Sequence, residues 1–376
     1  MKILVLCYEY PPVGGGGGRV AASIAEGLVQ SGHEVRVVTA GLKHLPRKSL
    51  IEGVTVLRPE SFRKREDTCS VAEMAYYLVT AFFPAWQICR SWKPDIIHAH
   101  FVVPTGALAL ALHGLTRIPY VLTAHLGDVP GGVPEQTDNL FRFLGPFIRP
   151  IWRGAAAVTA VSGFVAALAA KNCGVRAKVI LNGVPMLPTP VAIRSGQPPR
   201  ILMIGRLSLQ KNPLLAVHAL ALVKDLPWHF EVIGDGPLST AMHDLVQKHG
   251  LENRIIFSGW LSAEQVSNRL TVADVLLMTS TSEGLPMAGI EALRHGLAIA
   301  GSRIGGLTDV IDDGINGLFS DLQPVAFAKT LRTMLGDSNL LRRMRESSLS
   351  KAHAFNLPDR IKDYEAVLQR AASIVK

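Results

Sequence analysis

The chain has no stretch of about 20 residues free of both charge and proline, so nothing in it reads as a membrane-crossing helix. Cysteine is scarce. Its four copies, Cys7, Cys69, Cys89 and Cys173, lie far apart and form no C-x-x-C pair, which argues against a zinc site or disulfide framework and for a reducing cytoplasm. Aromatic residues are only 6% and no nucleic-acid-binding motif is present, so the net charge of +9 points to nucleotide phosphates or anionic lipid rather than nucleic acid. The opening Met1–Cys7 turns acidic at Glu9, too soon for a secretory leader, and reads as a first strand.

Several catalytic signatures are missing as well. There is no G-x-S-x-G nucleophile elbow and no H-E-x-x-H zinc helix. The run Gly14–Gly18 is not followed by the Lys-Ser/Thr of a Walker A loop. It fits a dinucleotide fingerprint only in the looser form Gly16, Gly18, Ala21, and the second strand ends Thr39-Ala40-Gly41 without an acid for a ribose. No D-x-D is present to clamp a metal and a diphosphate.

What is present is a large apolar fraction, 48% against 18% charged, in 376 residues, enough for two domains. Short apolar runs alternate with helical stretches: strands are expected at Lys2–Cys7, Glu34–Thr39, Asp95–His98, Pro119–Thr123, Ala156–Val161 and Lys178–Leu181. Helices are expected at Gly17–Ser31, Val71–Trp92, Thr105–Gly114, Asp138–Arg153 and Gly163–Asn172. The Pro-rich stretch Pro185–Pro199 reads as a linker. The alternation then resumes with strands at Arg200–Gly205, His229–Ile233, Arg254–Ser258, Asp274–Thr279 and Leu297–Gly301. Asp359–Val375 reads as an amphipathic helix with Tyr364, Val367, Leu368 and Ile374 on its apolar stripe. Two α/β, doubly wound domains facing a cleft follow: 1–184, with the last helix 359–376 packing back on it, and 185–358.

The candidate site residues fall at strand ends. Ser282–Ala292 places Glu283 before a helix start and Glu291 inside it, with Pro286 at the first helical position. Unpaired N–H groups at such a start attract anions, and Gly284, Leu285, Pro286 and Met287, which lead into it, are candidate ligand contacts. Arg206 and Lys211, five apart on the loop after the Arg200–Gly205 strand, can neutralise a diphosphate from two sides. His125, in Ala124–Asp128, can offer a hydrogen bond or a positive charge. His98 and His100 point to one face of their strand, where packing accounts for them better than metal binding.

In order and spacing these segments resemble the family 4 retaining glycosyltransferases of the GT-B fold. The resemblance runs through Pro-Pro-x-Gly-Gly, Gly32-His33-Glu34-Val35, His98-Ala99-His100-Phe101, Thr123-Ala124-His125, Asn182-Gly183-Val184, Gly205-Arg206-Leu207…Lys211, Gly234-Asp235-Gly236-Pro237, Glu283-x7-Glu291 and Gly305-Gly306. It departs at Gly296-Leu297-Ala298-Ile299, where Gly-x-Pro-Val is frequent, and at Asp309, where Glu is common. The resemblance implies that Arg206 and Lys211 bind a donor diphosphate, Glu291 the ribose and Glu283 the transferred sugar. It places His125 near the anomeric carbon, and Gly15, Gly16 and Gly17 near the diphosphate and acceptor. Trp260 and Leu261 would meet the base.

The implied activity is transfer of a hexose, with UDP-glucose or a related UDP-hexose favoured, to a carbohydrate or lipid-linked acceptor, without a cofactor or metal. The acceptor side would include Gly16, His125, Asp128 and the His125–Pro134 loop. Arg58, Arg63, Lys64 and Arg65, followed by the aromatic-rich Val71–Trp92, offer a surface for an anionic membrane at the inner face. The alternatives are a nucleotide-sugar epimerase of the same architecture and a non-catalytic nucleotide-sugar-binding protein.

Overall fold

Strands that are apolar on both faces must be covered on both faces, and the first sheet follows from that requirement. A computed structural model describes every residue except 67, 134–140, 142–144, 146, 190, 194–197 and 375–376. In the first unit, Met1–Gly183 with Leu357–Lys376, the strands are β1 (Lys2–Leu6), β2 (Glu34–Val38), β3 (Lys48–Ile51), β4 (Val54–Leu57), β5 (Ile96–His100), β6 (Tyr120–Ala124), β7 (Ala157–Ala160) and β8 (Lys178–Val179). Their order is β3-β4-β2-β1-β5-β6-β7-β8, parallel throughout except for β3 against β4. The helices are α1 (Gly16–Gln30), α2 (Val71–Ser91), α3 (Ala107–Thr116) and α4 (Gly163–Cys173), with residues 147–154 helical too. The expected helix Asp138–Arg153 lies partly outside the described residues.

The β3–β4 hairpin was not expected. Its signal is the pair Glu52-Gly53 between Ile51 and Val54, both at positive φ (47° and 79°), as the tightest hairpin turns require. A glutamate in place of the usual Asn or Asp hides that signal.

The second unit, Val184–Asn356, carries β9 (Arg200–Ile204), β10 (His229–Ile233), β11 (Ile255–Gly259), β12 (Val275–Met278), β13 (Ala298–Ser302) and β14 (Gly317–Ser320). They form an all-parallel sheet, β11-β10-β9-β12-β13-β14. Its helices are α5 (Pro213–Ala221), α6 (Ser239–His249), α7 (Ala263–Val272), α8 (Met287–Arg294), α9 (Leu307–Val310), α10 (Pro324–Gly336) and α11 (Ser338–Ala352). Trp228, Phe230 and Phe327 are fully buried in its core. β14 was also missed: four residues after a turn carry little periodicity of their own. The expected linker Pro185–Pro199 lies partly outside the described residues.

The last helix, α12 (Leu357–Ser373), belongs to the first unit. Tyr364, Val367 and Leu368 are buried as the periodicity predicts, whereas Ile374 is 65% exposed because it falls beyond the helix end. Glu365 Oε1 lies 2.7 Å from His33 Nε2 and ties α12 to the end of the α1–β2 turn.

One buried ion pair ties the second unit together. Arg345 of α11 meets Asp274 at 2.5 Å, and the other Asp274 oxygen accepts the Arg200 N–H at 2.8 Å. Arg345 also donates to the carbonyls of Gly296 and Ala273. Burial pushes the Asp274 carboxyl up and the Arg345 guanidinium down, so the pair persists only because each charge is answered. Asp274→Ala leaves the arginine buried and unanswered and is expected to destabilise the second unit by about 3–5 kcal/mol. Urea denaturation followed by tryptophan fluorescence, in a variant that keeps Trp228 and replaces the other four tryptophans by Phe, measures this, and an unchanged midpoint would contradict it.

Candidate active site

In the second unit, three loops at the carboxyl ends of β9, β12 and β13 converge on Glu283. Lys211 Nζ lies 2.5 Å from Glu283 Oε1, and Ser280 Oγ donates to the same oxygen at 2.6 Å. The Glu283 carbonyl accepts the Gly306 N–H at 2.8 Å. Gly306 has to be glycine: a Cβ there would sit 1.7 Å from the Gly284 oxygen. Further ties come from Gln210 Nε2 to the Ser282 carbonyl (2.9 Å), Thr281 N–H to the Gln210 carbonyl (2.8 Å), and Thr279 Oγ1 to the Lys211 and Asn212 carbonyls. Glu283 is buried and Lys211 half-buried.

Past Glu283, Gly284, Leu285 and Pro286 are buried, and α8 begins at Met287. Pro286 is therefore the capping residue, with ψ 119°, and not the first helical position; its carbonyl accepts the Gly289 and Ile290 N–H groups. Inside α8, Glu291 pairs with Arg294 at 2.6 Å, and Arg294 also holds the Pro185 carbonyl. Arg206 is half-buried on the same loop as Lys211. Trp260 is 60% exposed just past β11, beside the half-buried Leu261, and so is accessible for stacking.

In the first unit the corresponding strand ends gather His100, Phe101, His125 and the glycine run. Gly15 caps α1, and Gly16 and Gly17 form its first turn instead of a loop. The Gly15 N–H donates to Glu9 Oε2 at 3.1 Å. A Cβ on Gly17 would meet Phe101 Cζ at 2.5 Å and lie 3.5 Å from His125 Nδ1, so the two rings seat directly against the helix start. Phe101 stacks on His125 with ring centroids 4.3 Å apart. His98 and His100 do share a face, with rings 4.2 Å apart, and His98 Nε2 meets Thr123 Oγ1 at 2.7 Å.

Two expectations change here. Burial lowers the His125 pKa to about 4, so the imidazole is neutral near pH 7 and offers a hydrogen bond, not a positive charge. Asp128 is buried, and its two oxygens accept the backbone N–H groups of His125 (2.8 Å) and Val102 (2.7 Å). It braces the ends of β5 and β6 together and does not reach out as an acceptor contact. Burial raises its pKa to about 7 against the pull of those two donors. Of the His125–Pro134 loop, residue 134 lies outside the described residues.

Family models match in tandem along the chain: Glycosyltransferase Family 4 over residues 14–186 and Glycosyl transferases group 1 over 191–350. The chain belongs to this glycosyltransferase family. Among similar proteins, the 2-deoxystreptamine glucosyltransferase of Streptomyces kanamyceticus is 28% identical over 84% of this chain and 88% of its own. Glycogen synthase of Mycobacterium tuberculosis is 27% identical over 90% and 86%. Sucrose-phosphate synthase from Thermosynechococcus elongatus superposes with a TM-score of 0.86 at 18% identity, over the whole of both chains. Anabaena HepE in complex with UDP-glucose superposes at 0.76 with 19% identity, over 98% and 99%. The fold is GT-B, with two Rossmann-like parallel-sheet domains, and the chain is a retaining transferase.

Within this glycosyltransferase three residues at the strand ends went unnoticed in the sequence. Ser280 and Glu9 look like ordinary polar residues until the loops bring them to Glu283 and Gly15. Phe101 has φ 71° and ψ 134°, a conformation rare outside glycine that costs about 1–3 kcal/mol. It is held by the Thr105 hydroxyl on its carbonyl (2.7 Å) and by its own N–H on the Thr123 carbonyl (3.1 Å). No sequence pattern announces such a residue.

The buried imidazoles make a pH prediction. His98 (about 3), His125 (about 4) and His100 (well below its ordinary value) all fall by desolvation, so the unfolded chain takes up their protons first. Their contribution to stability is complete above pH 6.5 and is lost as pH falls toward 4. Asp128 acts in the opposite sense, because its raised pKa favours the folded state at low pH and that benefit fades as pH rises through about 7. Three imidazoles outweigh one carboxyl, so the urea midpoint of the first unit should fall between pH 7 and pH 5. A midpoint that holds steady or rises on acidification would overturn the assignment of neutral rings.

Proposed function

We propose that this enzyme moves a hexose from a nucleotide diphosphate sugar, with UDP-glucose or a related UDP-hexose as donor, to an acceptor hydroxyl in polysaccharide or glycoconjugate biosynthesis. The observation that carries this reading is the Lys211–Glu283 pair just before α8, with Glu291 about one turn inside that helix. Lys211 and Arg206 supply positive charge for a leaving diphosphate. The N–H groups around Pro286–Ala288 add the positive end of a helix dipole. Glu291, oriented by Arg294, is assigned to the ribose hydroxyls. Trp260 and Leu261 are assigned to the base. The similarity to HepE, whose complexes hold UDP and UDP-glucose, supports the choice of donor.

In the proposed reaction the bond between the anomeric carbon and the diphosphate oxygen breaks, and the acceptor oxygen bonds to the same face of that carbon. The acceptor proton passes to the departing phosphate, so the α configuration is kept and no carboxylate nucleophile is required. Glu283 orients the sugar hydroxyls while Lys211 divides its charge between Glu283 and the diphosphate. The neutral His125 donates or accepts a hydrogen bond at the reacting sugar, and Gly16 and Gly17 let it approach closely. Arg206 and Lys211 neutralise the diphosphate without a metal ion. The acceptor is a carbohydrate or a lipid-linked glycan, met in the cytoplasm or at the inner face of the membrane.

A thermal-shift screen against UDP, GDP and ADP sugars, followed by product release with the best of them, tests this reading. UDP-hexoses should raise the melting temperature most, and Glu291→Ala should weaken nucleotide binding by about tenfold, as losing a charge-assisted hydrogen bond does. Equal shifts from all three bases would remove the uridine assignment, and an unchanged dissociation constant in the variant would remove the ribose role.

A further inference from the structure

We infer that His100 sets the tautomer of His125, so that His125 presents an Nδ1–H donor, not a lone pair, to the glycine-lined opening at the start of α1. His100 Nδ1 lies 3.4 Å from His125 Nε2, and both side chains are buried. Both rings are neutral near pH 7, because burial holds their pKa values below the ordinary range. A neutral imidazole has one N–H and one lone pair, so across this contact one nitrogen donates and the other accepts. Which does which is decided by the far nitrogen of His100.

His100 Nε2 is buried with no hydrogen-bond partner among the described residues. A proton there would be a buried donor without an acceptor, a rarer defect in protein interiors than an acceptor left unused. The His100 proton therefore belongs on Nδ1, where it donates to His125 Nε2. With Nε2 accepting, the proton of His125 belongs on its own Nδ1. The same rule gives His98 the opposite tautomer. Its Nδ1 is the buried atom without a partner, whereas its Nε2 lies 2.7 Å from Thr123 Oγ1 and donates to it. Thr123 Oγ1 in turn meets Thr159 Oγ1 at 2.8 Å.

The surroundings hold the two rings in this relation. The Thr105 hydroxyl donates to the carbonyls of His100 and Phe101, fixing the end of β5. Phe101 stacks on the His125 ring, and the Asp128 carboxylate accepts the His125 backbone N–H. On the far side Tyr364 of α12, buried, lies 5.5 Å from the His98 ring and helps to keep the pair of strand histidines dry. The open side is at Gly17, where a Cβ would come 3.5 Å from His125 Nδ1; Gly15 and Gly16 beside it are exposed. A ligand reaching Nδ1 there meets a donor, so the group recognised is an oxygen that accepts, such as a sugar hydroxyl or ether oxygen. His100 touches no ligand and is a positioning residue. The use of the donor on a sugar rests on the proposed transfer reaction, whereas the tautomer does not.

The test is NMR of the ligand-free protein labelled with 15N at histidine, in which long-range couplings to the ring C–H protons identify the protonated nitrogen. The His125 signals are assigned by their loss in His125→Asn or by their contact with the Phe101 ring. His125 and His100 should both carry the proton on Nδ1, and His98 on Nε2. A His125 proton on Nε2, or on both nitrogens, overturns the proposal. His100→Leu should release His125 into a mixture of tautomers and lower kcat about tenfold, with KM for the nucleotide sugar changed less than about twofold. His100→Asn, whose amide can donate from the same place, should restore most of the turnover. A His125 that keeps its proton on Nδ1 in His100→Leu overturns the role of His100. If the leucine variant does not fold, the spectrum of the parent protein decides alone. The expected tautomers in a protein that transfers no sugar would sink the transfer reading and leave this one standing.

Discussion

The ion pair between Lys211 and Glu283 is the contact on which the strand-end loops of the second unit depend. It joins the loop after β9 to the loop after β12, and the Glu283 carbonyl extends the connection to Gly306 after β13. A carboxylate buried this deeply is tolerable only while its charge is answered, and a single oxygen of Glu283 receives both the lysine ammonium and the Ser280 hydroxyl. The electrostatics that would act on a diphosphate are therefore the same electrostatics that fold the loops. A group held in place before the ligand arrives needs little reorganisation when charge develops, which is where such sites gain most of their effect.

The first unit meets the same demand by different means. There the brace is Asp128, whose two oxygens hold the ends of β5 and β6 through backbone N–H groups. Beside it Phe101 adopts a strained conformation, with its ring stacked on His125 and set against the first turn of α1. The imidazoles are kept neutral by exclusion of water.

The doubly wound architecture was legible because its strands carry continuous apolar runs, such as Ile3–Leu6 and Ile201–Ile204, separated by helices of amphipathic period. The paired carboxylates and the Arg206…Lys211 loop were legible because glycine and proline punctuate them. What stayed hidden depended on distant partners. Nothing near Glu283 in sequence says that Lys211, 72 residues away, will pair with it. Asp128 reads as a polar residue in a turn-rich loop and becomes a buried clamp only once β5 lies beside β6. Arg58 and Arg63 read as a solvated basic run, yet backbone carbonyls from the β1–α1 loop draw both of them inside.

The central claim is that Lys211 and Glu283 act as one unit in catalysis, and a double-mutant cycle on turnover of the nucleotide sugar tests it most directly. Lys211→Ala, Glu283→Gln and the double variant would each be compared with the parent enzyme by kcat/KM. If the two side chains work as a coupled pair, each single change should lower kcat/KM by about a hundredfold or more, and the double variant should be little worse than either. Losses that multiply in the double variant would show two independent contributions and contradict the account.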